Sequence, residues 1–174
     1  MDLYHWDIQG AFMTSNLDTE IYMDLPARYS LPEGKCIRLK KSLYGLKQAS
    51  ALYHKNLEAW LLEYGFKPVG ADRVIFRYDR GGEKLILSLY VDDGITATNS
   101  PALYKQFVSD LGTKFKLSDS GRLSWYLGVD IKHDKEKGIT TMSQQKYIET
   151  LLELFHMSEC NPSPVPARKR GTPG

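Results

Sequence analysis

The stretch Leu85–Ile95, LILSLYVDDGI, places two adjacent carboxylates, Asp92 and Asp93, inside an apolar run. The residues before them have the pattern of a buried strand, and a second apolar stretch begins at Ile95. Burying a charge costs several kcal/mol unless the charge is paired or bound to a metal. The position of these two acids therefore points either to a turn or to a functional site.

A third acid bears on this choice. Asp92-Asp93-Gly94 could be a tight turn, since Asp-Gly is a strong hairpin signal, with one Asp fixing the turn and the other solvated. However, Asp7 also ends an apolar strand, in Trp6-Asp7-Ile8. If that strand lies beside the hairpin, Asp7 and Asp92 project together at one edge of a sheet. Clustered carboxylates need cations, and Mg²⁺ takes oxygen ligands and bridges them to phosphates.

The rest of the chain alternates strand and helix patterns, with hairpins between successive strands. This favours an α+β fold with a mainly antiparallel sheet packed against helices. Ser100 and Pro101 form a good helix start, and Ser143 could cap a last helix. The predicted strands are 3–8, 21–23, 36–39, 73–78, 84–91, 95–98, 125–131 and 139–142, and the predicted helices are 11–17, 49–64, the segment from Pro101, and 143–155.

The charge of the chain is nearly balanced overall but is unevenly distributed along the sequence. The formal net charge of the 174 residues is only +2, so no overall basic field indicates a nucleic-acid partner. Locally, residues 35–55 contain six basic residues and no acidic one, which is either a solvated face or a phosphate-contacting surface. These basic residues are Lys35, Arg38, Lys40, Lys41, Lys47 and Lys55.

The cysteines, the absence of apolar targeting segments and the proline-rich end of the sequence indicate where the protein is located and how its domains are organised. Cys36 and Cys160 have no metal-site or disulfide spacing, and neither a membrane span nor a secretory signal is evident. We therefore expect an intracellular chain that is not secreted. Residues 1–160 are predicted to form the folded part, and the proline-rich residues 161–174 to form a disordered or truncated tail.

Five blocks of sequence, in order and at consistent spacing, resemble the reverse transcriptases of copia-type long-terminal-repeat retrotransposons. The resemblance covers nearly the whole chain and implies the palm region of a pol polyprotein. The blocks are WDIQGAFMTSNLDTEIYMDLP from Trp6, IRLKKSLYGLKQA from Ile37, LILSLYVDDGI from Leu85, YLGVDI from Tyr126 and MSQQKYIETLLELFHMSECNPSPVP from Met142.

The resemblance implies a two-metal centre. Asp7 and Asp92 would be the principal ligands of two Mg²⁺ ions, with Mn²⁺ as a possible substitute, and Asp93 would assist them. Phe12 would lie beneath the sugar of the incoming nucleotide and exclude a 2′-hydroxyl, although an ordinary core Phe is the alternative.

Further contacts follow from the same resemblance. The nucleotide-binding residues would include Tyr44, Gly45 and Gln48. Lys40, Lys41 and Lys47 would contact nucleic acid, and Tyr90 would lie near the primer end, with a buried sheet Tyr as the alternative.

The implied function is RNA-directed DNA polymerisation with an RNA template, a DNA primer and deoxynucleoside triphosphates, in a cytoplasmic particle or the nucleus. The upstream fingers segment and a ribonuclease H domain are missing from the match. Ser50-Ala51-Leu52-Tyr53 replaces the family's proline, arginine and tryptophan, and Gly94 after the acids is expected to loosen their turn. The alternatives are a catalytically inactive remnant that binds nucleic acid and, more remotely, a nucleotide cyclase.

Overall fold

The computed structural model describes residues 1–26, 29–30, 32 and 34–163. Its strands are β1 (Asp2–Ile8), β2 (Asn16–Met23), β3 (Ile37–Lys41), β4 (Lys67–Pro68), β5 (Ile75–Arg80), β6 (Glu83–Tyr90), β7 (Asp93–Thr98), β8 (Leu117–Arg122), β9 (Trp125–Tyr126), β10 (Val129–Asp134) and β11 (Ile139–Ser143). Its helices are α1 (Ala49–Tyr64), α2 (Pro101–Gly112) and α3 (Gln145–Leu154), with a short 3₁₀ helix at Ala11–Thr14.

The main sheet has six strands in the order β4-β5-β6-β7-β1-β8. Every neighbouring pair in it is antiparallel. β2 and β3 form a separate two-stranded sheet, and β9, β10 and β11 form a three-stranded one. The predicted α+β class with a mainly antiparallel sheet is confirmed.

The chain divides into two compact units, residues 1–123 and residues 124–174. The first unit contains the main sheet, the β2–β3 sheet, α1 and α2. The second contains the three-stranded sheet and α3. The division of residues 1–160 from a tail at 161–174 stays a prediction, and residues 164–174 lie outside the described residues.

One face of the main sheet is buried against helices α1 and α2. Successive side chains of a strand point to opposite faces, so Leu85, Leu87 and Leu89 of β6 share the buried face. Trp6 and Ile8 of β1 lie on the same face. The helices contribute Tyr53, Leu57 and Leu61 from α1 and Leu103, Tyr104, Phe107 and Leu111 from α2.

Helix boundaries follow local sequence signals. Helix α1 has the predicted bounds and ends at Gly65, whose φ of 109° is readily available only to glycine. Helix α2 begins after Ser100, whose side-chain oxygen accepts a hydrogen bond from the Leu103 N–H at 3.3 Å. The predicted Ser-Pro helix start is therefore confirmed.

Several predicted boundaries are wrong for identifiable reasons. The predicted helix at 11–17 is one 3₁₀ turn, and β2 begins at Asn16 because its backbone pairs with Lys41. β5 begins at Ile75, since Arg73 has a left-handed φ of 51° that no strand accommodates. Leu127 and Gly128, both with positive φ, break the predicted strand 125–131 into β9 and β10. Ser143 belongs to β11, and Gln144 precedes α3.

Among the described residues, no helix is both long and apolar enough to cross a membrane.

Candidate active site

Strand pairing brings the three acids together. Asp7 of β1 lies directly opposite Asp93 of β7. Because side chains alternate, both acids point away from the face that carries Trp6 and Gly94. The Ile8 N–H donates to the backbone oxygen of Asp92 at 2.9 Å, which attaches the adjoining turn to the end of β1. Asp7 and Asp93 therefore lie on the face of the sheet opposite the helices, at the end of β1 and β7 where the turn carries Asp92.

The turn that carries Asp92 consists of two residues, Val91 and Asp92. Tyr90 pairs with Asp93 across β6 and β7, so the predicted turn at Asp92-Asp93-Gly94 is wrong. Val91 has a φ of 54°, a conformation that is a genuine outlier for a β-branched residue. Such strain costs on the order of 1–3 kcal/mol and persists where surrounding contacts impose it, commonly at functional sites.

Gly94 lies in a strand and not in this turn, so the expected loosening of the turn stays a prediction. It lies in β7 opposite Trp6, and a Cβ atom on Gly94 would overlap the Trp6 indole ring. The indole is fully buried, and its Nε1–H donates to the Thr96 hydroxyl at 2.9 Å. Glycine is required here because the ring occupies the space of a side chain, and the packed ring fixes the strands beneath the acids.

The negative charges of Asp7, Asp92 and Asp93 repel one another. Partial burial raises the pKa of Asp7 above its usual value, and the carboxylates of Asp92 and Asp93 raise it further. His5 acts in the opposite direction and lowers the Asp7 pKa. A carboxylate in this position is stabilised by any nearby positive charge.

Two hydrogen bonds engage the other carboxylates. The Tyr44 hydroxyl donates to Asp92 Oδ2 at 3.1 Å, and burial together with this bond raises the pKa of Tyr44. His5 Nε2 lies 2.9 Å from Asp93 Oδ1. Each of these carboxylates therefore has one oxygen engaged by a neighbouring side chain.

An aromatic pair lies beside the acids. The rings of Phe12 and Tyr44 have centroids 4.3 Å apart, and Phe12 also contacts Tyr53 edge-on at 5.9 Å. Phe12 is half-buried and packs against the main core, as the alternative of a core Phe predicts. The same ring contacts Tyr44, which is hydrogen-bonded to Asp92. Tyr44 is exposed and forms the outer surface of the pair.

Tyr53 lies beneath this pair with an unpartnered hydroxyl. The side chain is buried, and no atom of the described residues hydrogen-bonds to its oxygen. Burial raises the pKa of Tyr53 well above its usual value, and the negative charges of Asp92 and Asp7 raise it further. The hydroxyl therefore remains protonated under the carboxylates.

The donor chemistry of the acids fits a divalent ion such as Mg²⁺, which prefers carboxylate oxygens. Across the described residues, no three acidic, histidine or cysteine side chains are grouped closely enough to hold a metal ion as they stand. The bonds from Tyr44 and His5 engage one oxygen of Asp92 and one of Asp93. Asp7 is the carboxylate whose pKa its two acidic neighbours raise, so a shared cation would relieve that repulsion.

The remaining predicted site residues lie in the segment that leads into α1 and nearby. Gly45 has a φ of 96° with open space beside it, so glycine is required by the backbone conformation. Gln48 precedes α1 and its side-chain nitrogen donates to the Thr19 hydroxyl at 3.4 Å. Lys40 and Lys41 are exposed on β3, and Lys47 is exposed just before α1. Tyr90 is exposed at the end of β6, which excludes the alternative of a buried sheet Tyr.

Sequence reasoning missed two residues of this site and one contact on the opposite face of the sheet. His5 lies two residues before Asp7, so the period of two along β1 could have placed it on the same face. Tyr53 lies on the buried side of α1, where helical periodicity shows burial but not the direction of the hydroxyl. The contact between Trp6 and Gly94 depends on the register of β1 and β7, for which the sequence contains no direct signal.

Comparison with known proteins identifies the family. The model of the family described as "Reverse transcriptase (RNA-dependent DNA polymerase)" matches residues 1–169. The chain belongs to this reverse transcriptase family. Its relatives are Pol polyproteins of copia-type transposons, which confirms the resemblance predicted from the sequence. The family is in general one of divalent-metal enzymes.

Three relatives indicate the extent of the match. The Retrovirus-related Pol polyprotein from transposon TNT 1-94 of Nicotiana tabacum is 30% identical over 95% of this chain and 13% of that protein. The corresponding polyprotein from transposon RE1 of Arabidopsis thaliana is 31% identical over 92% of this chain and 11% of its own length. The putative transposon Ty5-1 protein of Saccharomyces cerevisiae is 29% identical over 91% of this chain and 54% of its own.

The chain thus spans about an eighth of the length of the plant polyproteins it matches. No solved structure matches the chain.

Proposed function

We propose that this chain is the palm region of an RNA-directed DNA polymerase, which extends a DNA primer on an RNA template with deoxynucleoside triphosphates. The observation that supports this most directly is the pairing of Asp7 with Asp93, next to the turn that holds Asp92. Two neighbouring strands that are distant in sequence thereby supply carboxylates at the same end of the sheet. A pair of divalent ions held there would activate the primer hydroxyl and stabilise the departing pyrophosphate.

The carboxylates perform the first task, which is to hold positive charge. Asp7 is the acid whose pKa the other two raise, so binding of a cation relieves its repulsion from them. Asp92 can offer the oxygen not engaged by Tyr44, or exchange that hydrogen bond for a metal. Asp93 keeps its bond to His5 while it adds negative charge to the site.

The aromatic pair performs the second task, which is to select the sugar. The Phe12 ring packs at a tilt against Tyr44, which is hydrogen-bonded to Asp92, so an incoming nucleotide whose phosphates reach the acids has its sugar close to these rings. A ring in that position leaves no room for a 2′-hydroxyl and favours deoxynucleotides. Phe12 is held in place by its contacts with Tyr53 and the core.

The basic segment performs the third task, which is to hold the phosphate backbone. Lys40, Lys41 and Lys47 are exposed within a stretch that contains no acidic residue. Basic side chains supply the sequence-independent part of nucleic-acid affinity. The intracellular location expected from the sequence forms part of the same proposal.

A primer-extension assay tests the function. The chain, and the chain extended upstream by a fingers segment of the family, are each given a DNA-primed RNA template, deoxynucleotides and Mg²⁺ or Mn²⁺. We expect metal-dependent extension that Asp92→Asn lowers by about 10³-fold or more, since the ligand acts directly on the transition state. Asp24→Asn, which changes an exposed acid outside the site, is the control and should extend normally.

Two outcomes contradict the proposal. Extension that is equal in Asp92→Asn and in the unchanged chain removes the role of the carboxylates. Salt-sensitive binding of the primed template by a folded, extended chain that incorporates no nucleotide identifies the inactive nucleic-acid-binding remnant instead.

A further inference from the structure

His5 lies close to the acids and on their face of the sheet. It is two residues before Asp7 in β1, and it is diagonally opposite Asp93 in β7. Diagonal neighbours across an antiparallel pair are within reach of long side chains. The His5 ring uses this position, because its Nε2 atom lies 2.9 Å from Asp93 Oδ1.

The chemistry of the two side chains fixes the direction of this bond. An ionised carboxylate only accepts hydrogen bonds, so Nε2 of His5 must carry the proton and donate it. Hydrogen bonds to charged acceptors are about twice as strong as neutral ones. The His5 and Asp93 side chains are only 18% and 29% exposed, so solvent screens the contact incompletely.

The bond divides the acids into two groups. Asp93 is held against β1 by His5, whereas the Asp92 side chain accepts a hydrogen bond from the exposed Tyr44, and Asp7 repels both neighbours. Side chains that hydrogen-bond to metal-binding carboxylates orient them, and their loss typically weakens metal affinity about 10–100-fold.

We propose that His5 is a positioning residue of the carboxylate centre: its Nε2–H fixes Asp93 so that Asp7 and Asp92 present their oxygens to a divalent cation. This inference rests on the proposed function, because it assigns a cation to these acids. Asp93 then supports the site through its charge and its fixed orientation.

Mn²⁺ titration followed by electron paramagnetic resonance tests the inference on the full chain. His5→Leu removes the donor at similar size and should weaken Mn²⁺ binding about 10-fold. His5→Gln places an amide donor near the position of Nε2 and should bind within about 3-fold of the unchanged chain. In an Asp93→Asn background, His5→Leu should change the affinity by less than about 2-fold, because a residue that acts through Asp93 has lost its target.

A second readout needs no metal. In EDTA, the melting temperatures of the unchanged chain, His5→Leu, Asp93→Asn and the double variant form a thermodynamic cycle. We expect the double variant to melt close to the single variants, which shows coupling between the two side chains. Independent additive losses, or equal Mn²⁺ binding by His5→Leu and His5→Gln, would overturn the inference.

The two proposals fail in different ways. If Asp92→Asn binds Mn²⁺ as tightly as the unchanged chain, the metal centre itself is wrong, whatever the cycle shows. If Asp92→Asn loses the metal but the His5 variants behave additively with Asp93→Asn, the metal centre stands and the role of His5 is wrong.

Discussion

The raised pKa of Asp7 links the electrostatics of one side chain to the stability of the metal-free protein. The pKa is raised by burial and by Asp92 and Asp93, so in the absence of metal the charge of Asp7 opposes folding. For an acid with a raised pKa the folded state binds more protons than the unfolded state, and stability falls as pH rises from about 4 through the folded-state pKa. At neutral pH this cost is fully present.

Asp7→Asn should therefore stabilise the metal-free protein. We expect its melting temperature in EDTA at pH 7 to exceed that of the unchanged chain by about 2 °C, a small gain because solvent screens the partly exposed carboxylate. The difference should shrink at pH 3.5, because the raised pKa of Asp7 keeps more of the native carboxyl protonated and uncharged there than at pH 7. Calorimetry at the two pH values measures this, and a variant that is less stable at pH 7 would contradict the repulsion.

Tyr53 presents the opposite situation, a neutral group with an unmet hydrogen-bond requirement. Tyr53→Phe removes a buried hydroxyl that no described residue satisfies, and it keeps the ring that contacts Phe12. We expect the free energy of unfolding to rise by about 1 kcal/mol. Denaturant unfolding measures the change.

Tyr104 offers a matched control for this substitution. It is equally buried, but its hydroxyl donates to Asp119 Oδ1 at 2.9 Å. Tyr104→Phe should therefore lower the free energy of unfolding by about 1 kcal/mol. If both substitutions lower stability alike, the Tyr53 hydroxyl has a partner in solution that the structure does not contain.

Strands β1 and β7 are held in register by a large residue facing a glycine. The Trp6 indole fills the space above Gly94, so the two strands carry the acids on one face and this packed contact on the other. A shift of register by one residue would move every side chain to the opposite face and separate Asp7 from Asp93. The contact thus contributes to the site without touching it.

Gly94→Ala should cost about 3 kcal/mol, since the added methyl overlaps a buried ring. The same substitution should cost less than about 1 kcal/mol when Trp6→Leu is already present, because the smaller residue leaves room. Gly112→Ala is the control, since outside its own helix the nearest described atom to its added Cβ is Leu117 Cδ1, at an ordinary contact distance of 4.0 Å. Equal costs of Gly94→Ala in both backgrounds, measured by denaturant unfolding, would rule out the steric contact.

The hydrophobic core of the molecule lies in its first unit. All members of the main buried cluster fall within residues 1–123, whereas Ile131 is the one buried residue among those described after Leu123. Burial of apolar surface is the dominant favourable term in folding. We therefore expect the first unit to fold by itself and the second unit not to do so.

A protein ending at Leu123 should fold alone. We expect a single cooperative unfolding transition and blue-shifted tryptophan fluorescence from the buried Trp6. Residues 124–174 alone should show no cooperative transition in circular dichroism. The opposite pattern, an unfolded 1–123 fragment and a cooperative 124–174 fragment, would refute this distribution of stability.

Prediction from the sequence succeeded where the signal was local. Helix α1 has the predicted bounds because apolar periodicity and a terminal glycine both mark it, and Ser100 marks α2 equally well. β8 was not predicted, because its residues Leu117–Arg122 are mostly polar and include a glycine. It becomes a strand through pairing with β1, which is a non-local effect.

The same distinction holds within the site. The meeting of Asp7 and Asp92 was predicted from the placement of acids at strand ends, and the structure brings these acids to the same end of the inner strands β1 and β7. The position of the turn was wrong, because Asp-Gly favours a hairpin turn locally while Trp6 packing requires Gly94 within the strand. The bond between His5 and Asp93 depends on the register of β1 and β7, so it could not be predicted from any local sequence pattern.

Direct measurement of Mn²⁺ binding by electron paramagnetic resonance tests the carboxylate centre itself. The unchanged chain should bind Mn²⁺ saturably, and Asp7→Asn and Asp92→Asn should each weaken that binding at least about 10-fold, while Asp24→Asn binds normally. Equal binding by all four proteins would show that the three acids, although adjacent in the fold, do not hold a metal ion.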